Sequence, residues 1–228
     1  MFWCTLPKVD AAAEAGPAAE LLWTSALKFE GLPPAHCREL CSLLNAALRG
    51  DDALLMPVTA GLTHAINDAL CVGGPRLGLA RAQFPRGDAE HPPGTTFRGG
   101  GFDDRHRGFF VAGRKYRVPG FLATSFDRRT AERFRDDFGW RPPGGVTNVL
   151  WVVHVDPAGE HDPAKRCKHV NYVQNTHVGG EAEYLFSAYS VFTVVSVRWG
   201  ADKRHRVELR ASLDNKLEDD ALPSAPWY

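Results

Sequence analysis

The sequence predicts an α+β fold in which helices come first and a mostly antiparallel β body, read as two sheets, follows. Three observations carry this. The first third repeats apolar residues at helical spacing, the remainder is a series of short β-branched and aromatic runs, and only one helix interrupts those runs. A single interrupting helix disfavours an alternating βαβ layout with a parallel sheet. The expected organisation is a helical N-terminal subdomain over 1–94 and a β-rich core over 95–228, within one compact domain that no linker or repeat divides.

In the first predicted helix Leu22, Ala26 and Phe29 fall at i, i+4 and i+7. Pro33-Pro34 separates it from a second, where Leu40, Leu44 and Ala47 repeat the pattern until Gly50-Asp51-Asp52 closes it. A third fits Val58, Leu62, Ile66 and Ala69 and ends at Gly73-Gly74-Pro75. The stretch from Ala82 to Gly94, with Pro85, Gly87, Pro92 and Pro93, reads as a loop. Thr95 to Arg98 is the first predicted strand, stopped by Gly99-Gly100-Gly101. Gly120 to Phe126 is the next, leading into a helix from Asp127 to Phe138 on which Ala131 and Phe134 share a face. Thr147 to Val155 is an unbroken apolar run and should be central. Further strands fit His169 to Val173, Glu181 to Phe186, Val191 to Trp199 and Arg206 to Ala211. The end from Leu217 is acidic and proline-bearing, and Trp227-Tyr228 is expected to tuck back onto the domain.

The 228 residues are enough for a real core. Lys plus Arg and Asp plus Glu number 27 each, so bulk charge calls for neither a nucleic acid nor an anionic membrane as partner. The basic run Arg105, Arg107, Arg114, Lys115 and Arg117 reads as a solvated or phosphate-steering face rather than a nucleic-acid site. No apolar run approaches the ~20 residues of a membrane span, and the start Met1 to Pro7 lacks a basic segment and a long apolar core. The expected location is the cytoplasm, or a host cytosol reached without an ordinary signal peptide. Five scattered cysteines (Cys4, Cys37, Cys41, Cys71, Cys167) suggest free thiols. Neither Cys37 with Cys41 nor Cys167 with His161 and His169 has zinc-site spacing, and no metal is expected.

Three motifs carry chemistry. Glu181-Ala182-Glu183 follows Gly179-Gly180 and leads into Tyr184-Leu185-Phe186. On a strand its two carboxylates would face one way, an arrangement suited to steadying an oxocarbenium ion and acting on an attacking group. Read alone, the pair fits a solvated strand edge at least as well. Arg98 before Gly99-Gly100 pairs a two-pronged cation with exposed backbone amides, which also describes an ordinary surface turn. Phe121-Leu122-Ala123-Thr124-Ser125 puts small hydroxyl residues at a buried strand end, with Ala123 and Ser125 on one face and Thr124 opposite. Ser125 or Asp127 could equally cap the following helix.

In this order the motifs resemble the R-S-E class of ADP-ribosyltransferases, bacterial toxins and effectors among them, from about Thr95 to Trp199. Arg98 matches that family's first-strand arginine, Phe121 to Ser125 its aromatic-hydrophobic-Ser-Thr-Ser strand, and Glu181 with Glu183 its ExE signature. Ala123 departs from the pattern: in the family a serine stands there and helps position the nicotinamide half of NAD⁺ and the catalytic glutamate. Ser125, on the same face, is the hydroxyl available in its place.

The resemblance implies a split β-sandwich around an NAD⁺ cleft and mono-ADP-ribosyl transfer from NAD⁺ to a protein side chain. No GxGxxG opens a helix after a strand, so a Rossmann hydride-transfer site is not expected. By that resemblance Arg98 holds the diphosphate and ribose region, the Gly99 backbone reaches the nicotinamide amide, and Thr124, Ser125 and Phe134 line the cofactor site. Glu183 bonds the ribose 2′-hydroxyl, Glu181 acts on the acceptor, and the loop from Gln174 to Gly180, with Thr176 and His177, recognises the acceptor protein. His177 fits a solvated loop histidine as well. The acceptor is an arginine, or a threonine or serine hydroxyl such as one on ubiquitin. An NAD⁺ glycohydrolase and a catalytically silent binding module are the alternatives.

Overall fold

Helical periodicity and a glycine-rich strand set the two halves of this molecule, whose computed structural model describes residues 15–25, 39–50, 53, 56–67, 84–137, 145–155, 161–174, 176–200 and 205–226. Three helices come first: α1 (Ala15–Trp23), α2 (Leu40–Gly50) and α3 (Met56–Ile66). Leu44, Ala47 and Leu48 form the buried stripe of α2, and Ile66 at the end of α3 is fully buried. Ala26, Phe29, Pro33-Pro34, Asp51-Asp52, Ala69, residues 73–75, Ala82, Phe138, Cys4, Cys37, Cys71 and Trp227-Tyr228 lie outside the described residues.

The body has eight strands and one helix: β1 (Thr95–Asp103), β2 (Lys115–Val118), β3 (Leu122–Ser125), α4 (Arg128–Asp136), β4 (Val146–His154), β5 (Val170–Tyr172), β6 (Glu183–Phe186), β7 (Ser190–Arg198) and β8 (His205–Ala211). Hydrogen bonding joins them in the order β2-β7-β8-β4-β1-β3-β6-β5, antiparallel throughout except for β4 with β8. The sheet is nearly cut in two, because β1 and β3 pair only through Phe97 and Ser125. The two parts close over one core, in which Phe102, Val149 and Trp151 of one meet Leu122, Tyr184 and Phe186 of the other. Phe186 and Phe192 pack edge to face across it. This is the split sandwich, built as one curled sheet rather than two separate ones.

Alternation explains why the β4 run is apolar throughout. Val149, Trp151 and Val153 face the main core, whereas Leu150 and Val152 face α4 together with Phe97 and Ala131. On β3 and β6 the second face belongs to the helices: Phe121, Ala123 and Leu185 pack with Trp23, Leu44, Leu48 and Ile66. The helical segment thus shares a core with the sheet.

Several boundaries differ from the sequence expectation: α1 ends at Trp23, just after Leu22. The three glycines do not stop β1; the strand runs through Gly99 to Gly101 and pairs with β4 along its whole length. Glycine is needed there because α4 lies on the strand: a Cβ at Gly99 would collide with the Ala131 carbonyl and the Arg135 amide. β2 was hidden inside the basic run, where Lys115-Tyr116-Arg117-Val118 alternates charged and buried residues. That run is engaged with the rest of the chain. Lys115 pairs with Glu218, Arg117 bonds the Glu218 and Asp219 carbonyls, and Arg114 and Arg107 lie over Phe109 and Trp199. Among the described residues no helix is long and apolar enough to cross a membrane.

Candidate active site

A cleft of about 800 Å³ opens where the helices meet β1, β3 and α4, lined by Arg98, Phe121, Ala123, Thr124, Ser125, Phe134, Glu181 and Glu183. Residues from four separate sequence regions meet there because β3 lies between β1 and β6 in the sheet.

Arg98 is in mid-strand rather than at a strand end. Its Nη1 donates to the Ala123 carbonyl at 2.8 Å, which fixes the guanidinium across the β1–β3 seam. Burial lowers its pKa, opposed by the negative charge of Glu183. Gly99 lines the cleft beside it, with its missing side chain turned toward α4. Phe134 of α4 is 49% exposed, an unusually open aromatic face on the cleft wall.

Glu181 and Glu183 both line the cleft, but not through strand alternation. β6 begins only at Glu183, and Ala182 has a left-handed backbone with φ of 45°. Glu181 therefore belongs to the preceding loop, and the turn at Ala182 is what brings it back to the cleft. Glu183 is half-buried, and its pKa is pushed up to about 7. Burial is the main cause, the Trp23 hydrogen bond and Arg98 oppose it, and the neighbouring Glu181 adds to it. Burial also raises the Glu181 pKa, opposed by Arg133.

The hydroxyls of β3 are occupied. Thr124 Oγ1 donates to the Tyr184 carbonyl at 2.7 Å, facing the sandwich core. Ser125 is opposite Glu183 in the β3–β6 register, yet its Oγ donates to the Glu181 carbonyl at 2.5 Å and accepts from Asp127 N. Ser125 thus anchors the Glu181 loop. Asp127 is the N-cap of α4, its side chain accepting from Arg129 N.

Thr176 and His177 are exposed and outside the cleft lining. The Thr176 hydroxyl accepts from Val178 N, and His177 N donates to Thr24 Oγ1, which ties this loop to the end of α1. A second hollow of about 610 Å³ borders the loop at Ala182, lined by Asp88, Glu90, Asp127, Arg128, Arg129 and Glu132, with Arg128 paired to Asp88, Glu90 and Glu132.

Sequence reasoning missed the helical wall of the cleft: Trp23, Cys41, Asn45 and Arg49. Asn45 clips α2 to the start of β3, accepting from Phe121 N at 2.7 Å and donating to the Phe121 carbonyl at 3.3 Å. Trp23 Nε1 donates to Glu183 Oε1 at 2.8 Å. Arg49 has its pKa lowered to about 10 by burial and by the charge of Arg98, and among the described residues its buried Nε has no hydrogen-bond partner. The one charged residue of α2 was the available signal for Arg49; Trp23 had none.

Away from the cleft, Cys167 Sγ lies 3.2 Å from His169 Nε2. Burial pushes the thiol up to about 12 and the imidazole down to about 4, so the pair is neutral. Among the described residues no three His, Cys, Asp or Glu side chains form a group that could hold a metal ion.

No protein-family profile and no curated protein matches the sequence. Solved structures do match it in shape. Vis toxin, an ADP-ribosyltransferase from Vibrio splendidus, is 15% identical with a TM-score of 0.61, covering 95% of this chain and 80% of that one. The ADP-ribosyltransferase HopU1 of Pseudomonas syringae is 17% identical with a TM-score of 0.54, covering 86% and 76%. Exoenzyme S from Pseudomonas aeruginosa, in complex with human 14-3-3 protein beta and bound to carba-NAD, is 16% identical with a TM-score of 0.52, covering 92% and 81%. At these identities the likeness establishes the fold: the chain has the fold of the bacterial ADP-ribosyltransferase toxins and effectors.

Proposed function

We propose that this chain, built on the ADP-ribosyltransferase fold, is a mono-ADP-ribosyltransferase that moves ADP-ribose from NAD⁺ to a protein side chain. The observation that carries the reading is the gathering of Arg98, Arg49, Glu181 and Glu183 around one cleft. Two half-buried guanidiniums, that of Arg98 lowering the proton affinity of Arg49, form a site for an anion, and the diphosphate of NAD⁺ supplies two negative charges. Phe134 offers an open ring face to a base or to nicotinamide.

In the reaction the C1′–N bond breaks and its electron pair leaves on nicotinamide. The carboxylate of Glu183, ionised with the help of Arg98, stabilises the positive charge that develops on the ribose. The acceptor's lone pair closes the new bond at C1′. Glu181, on its loop and with a raised pKa, orients the acceptor and takes its proton. The hollow beside Ala182, with four carboxylates against two guanidiniums, favours a cationic acceptor such as arginine over a threonine or serine hydroxyl, on ubiquitin or elsewhere. Exoenzyme S with carba-NAD bound supports a dinucleotide as the cleft's occupant.

The test is incubation with tagged NAD⁺, with and without a cell lysate. Label transferred to protein, with nicotinamide released, supports the transferase, and mass spectrometry then identifies the modified residue. Release without any labelled protein makes it a glycohydrolase; neither leaves a silent binding module.

A further inference from the structure

Glu183 has to present a carboxylate at one place and in one orientation, and its own strand neighbours do not hold it. Ala123 shares the face of Ser125, and its side chain has no donor. The Ser125 hydroxyl is spent on the Glu181 carbonyl and the Thr124 hydroxyl on the Tyr184 carbonyl. Among the described residues the one hydrogen bond to the Glu183 carboxylate comes from α1, where Trp23 Nε1 donates to Oε1 at 2.8 Å. The Trp23 ring is buried and itself held, with its centroid 5.0 Å from that of Phe121 and its packing shared with Leu44, Leu48 and Leu185. A donor on a rigid, buried ring fixes both the position and the rotamer of its acceptor.

The geometry points to Trp23 as a positioning residue for Glu183, supplying from the helical subdomain the hydrogen bond that Ala123 cannot supply from the strand. The inference rests on the transferase reading for its catalytic consequence. By engaging Oε1, Trp23 leaves Oε2 for the ribose hydroxyl. A neutral N–H donating to a carboxylate also favours the ionised form, against the burial and the Glu181 charge that oppose it. The charged and titratable groups around Glu183 are Arg98 from β1, Glu181 from the loop and, from α2, the neutral Cys41 thiol, with Arg49 sharing the cleft lining.

The experiment compares the parent protein with Trp23→Phe, which keeps an aromatic ring against Phe121 and removes the donor. Its expected signature is a roughly ten- to hundredfold fall in kcat for nicotinamide release, the range of a lost charge-assisted bond, with KM for NAD⁺ little changed. The acidic limb of the pH–rate profile should move to higher pH. Adding Ala123→Ser to Trp23→Phe should restore part of kcat and bring the limb back, which a merely structural role for Trp23 would not produce. An unchanged kcat and limb in a folded Trp23→Phe protein overturns the inference. If the parent releases no nicotinamide, the transferase reading fails, and the hydrogen bond is tested by carbon-13 NMR titration of the glutamate carboxyls. A Glu183 resonance that titrates at higher pH in Trp23→Phe sustains the positioning role; one that titrates at the same pH in both proteins ends it.

Discussion

Ser125 and Glu183 stand opposite each other on β3 and β6, but the Ser125 hydroxyl reaches past that carboxylate to the carbonyl of Glu181, 2.5 Å away. The serine therefore ties the loop carrying one glutamate to the strand facing the other. The placement of the two carboxylates depends on that tie, because Glu181 precedes β6 and owes its place to the turn at Ala182.

Glu183→Gln should abolish labelling and reduce nicotinamide release by about 10²–10⁴-fold, the contribution of a positioned, charged carboxylate. Fold retention is checked by thermal melting. Near-normal release from a folded variant defeats the enzymatic reading.

Glu181→Gln should separate the activities. Protein labelling should fall strongly while slow NAD⁺ hydrolysis survives, since water requires less positioning than a docked side chain. Parallel loss of both would put Glu181 in the dinucleotide site, and loss of neither would make it a solvated acid.

Arg98→Lys and Arg49→Gln should each weaken NAD⁺ binding, by about tenfold or more, because an ammonium lacks the planar fork and an amide lacks the charge. Calorimetric titration measures it. Equal affinities for parent and Arg49→Gln would remove the α2 arginine from the diphosphate site.

Stability should respond to the Glu183 pKa, raised to about 7 from an ordinary carboxylate value of 4.5. Between those values the folded protein holds a proton that the unfolded chain has lost, so stability falls as pH rises through the window. The cost is complete above about 7 and absent below the unfolded value. Glu183→Gln removes the titration and should gain on the order of 1–3 kcal/mol relative to the parent at pH 8 over pH 4. Denaturant melts at the two pH values check it; an equal difference at both would mean the carboxyl titrates normally in the fold. The rate of nicotinamide release should rise across the same window, because the ionised form is the active one.

Gly99→Ala should destabilise the protein by about 3 kcal/mol or more, since the new methyl meets backbone atoms of α4 that cannot turn aside. A variant with parental stability would show that α4 can move off β1.

The sequence by itself determined the order of elements apart from β2, the apolar stripe of α2 and the identities of Arg98, Ser125, Glu181 and Glu183 as candidates. Those signals are local: a stripe at helical spacing, a run of β-branched residues, a short motif read within a few positions. Val149 to Val153 was legible as a central strand because both its faces are buried, whatever covers them. What the tertiary structure alone decided was the environment of the motifs. Glu183 meets Trp23 across 160 positions, and Arg49 reaches Arg98 only because Asn45 clips α2 to β3. The Ser125 hydroxyl had several possible partners, and the turn at Ala182 selected one of them. Hydrogen bonds and charges act over a few ångströms of space, and the distance between two residues along the chain does not specify that separation.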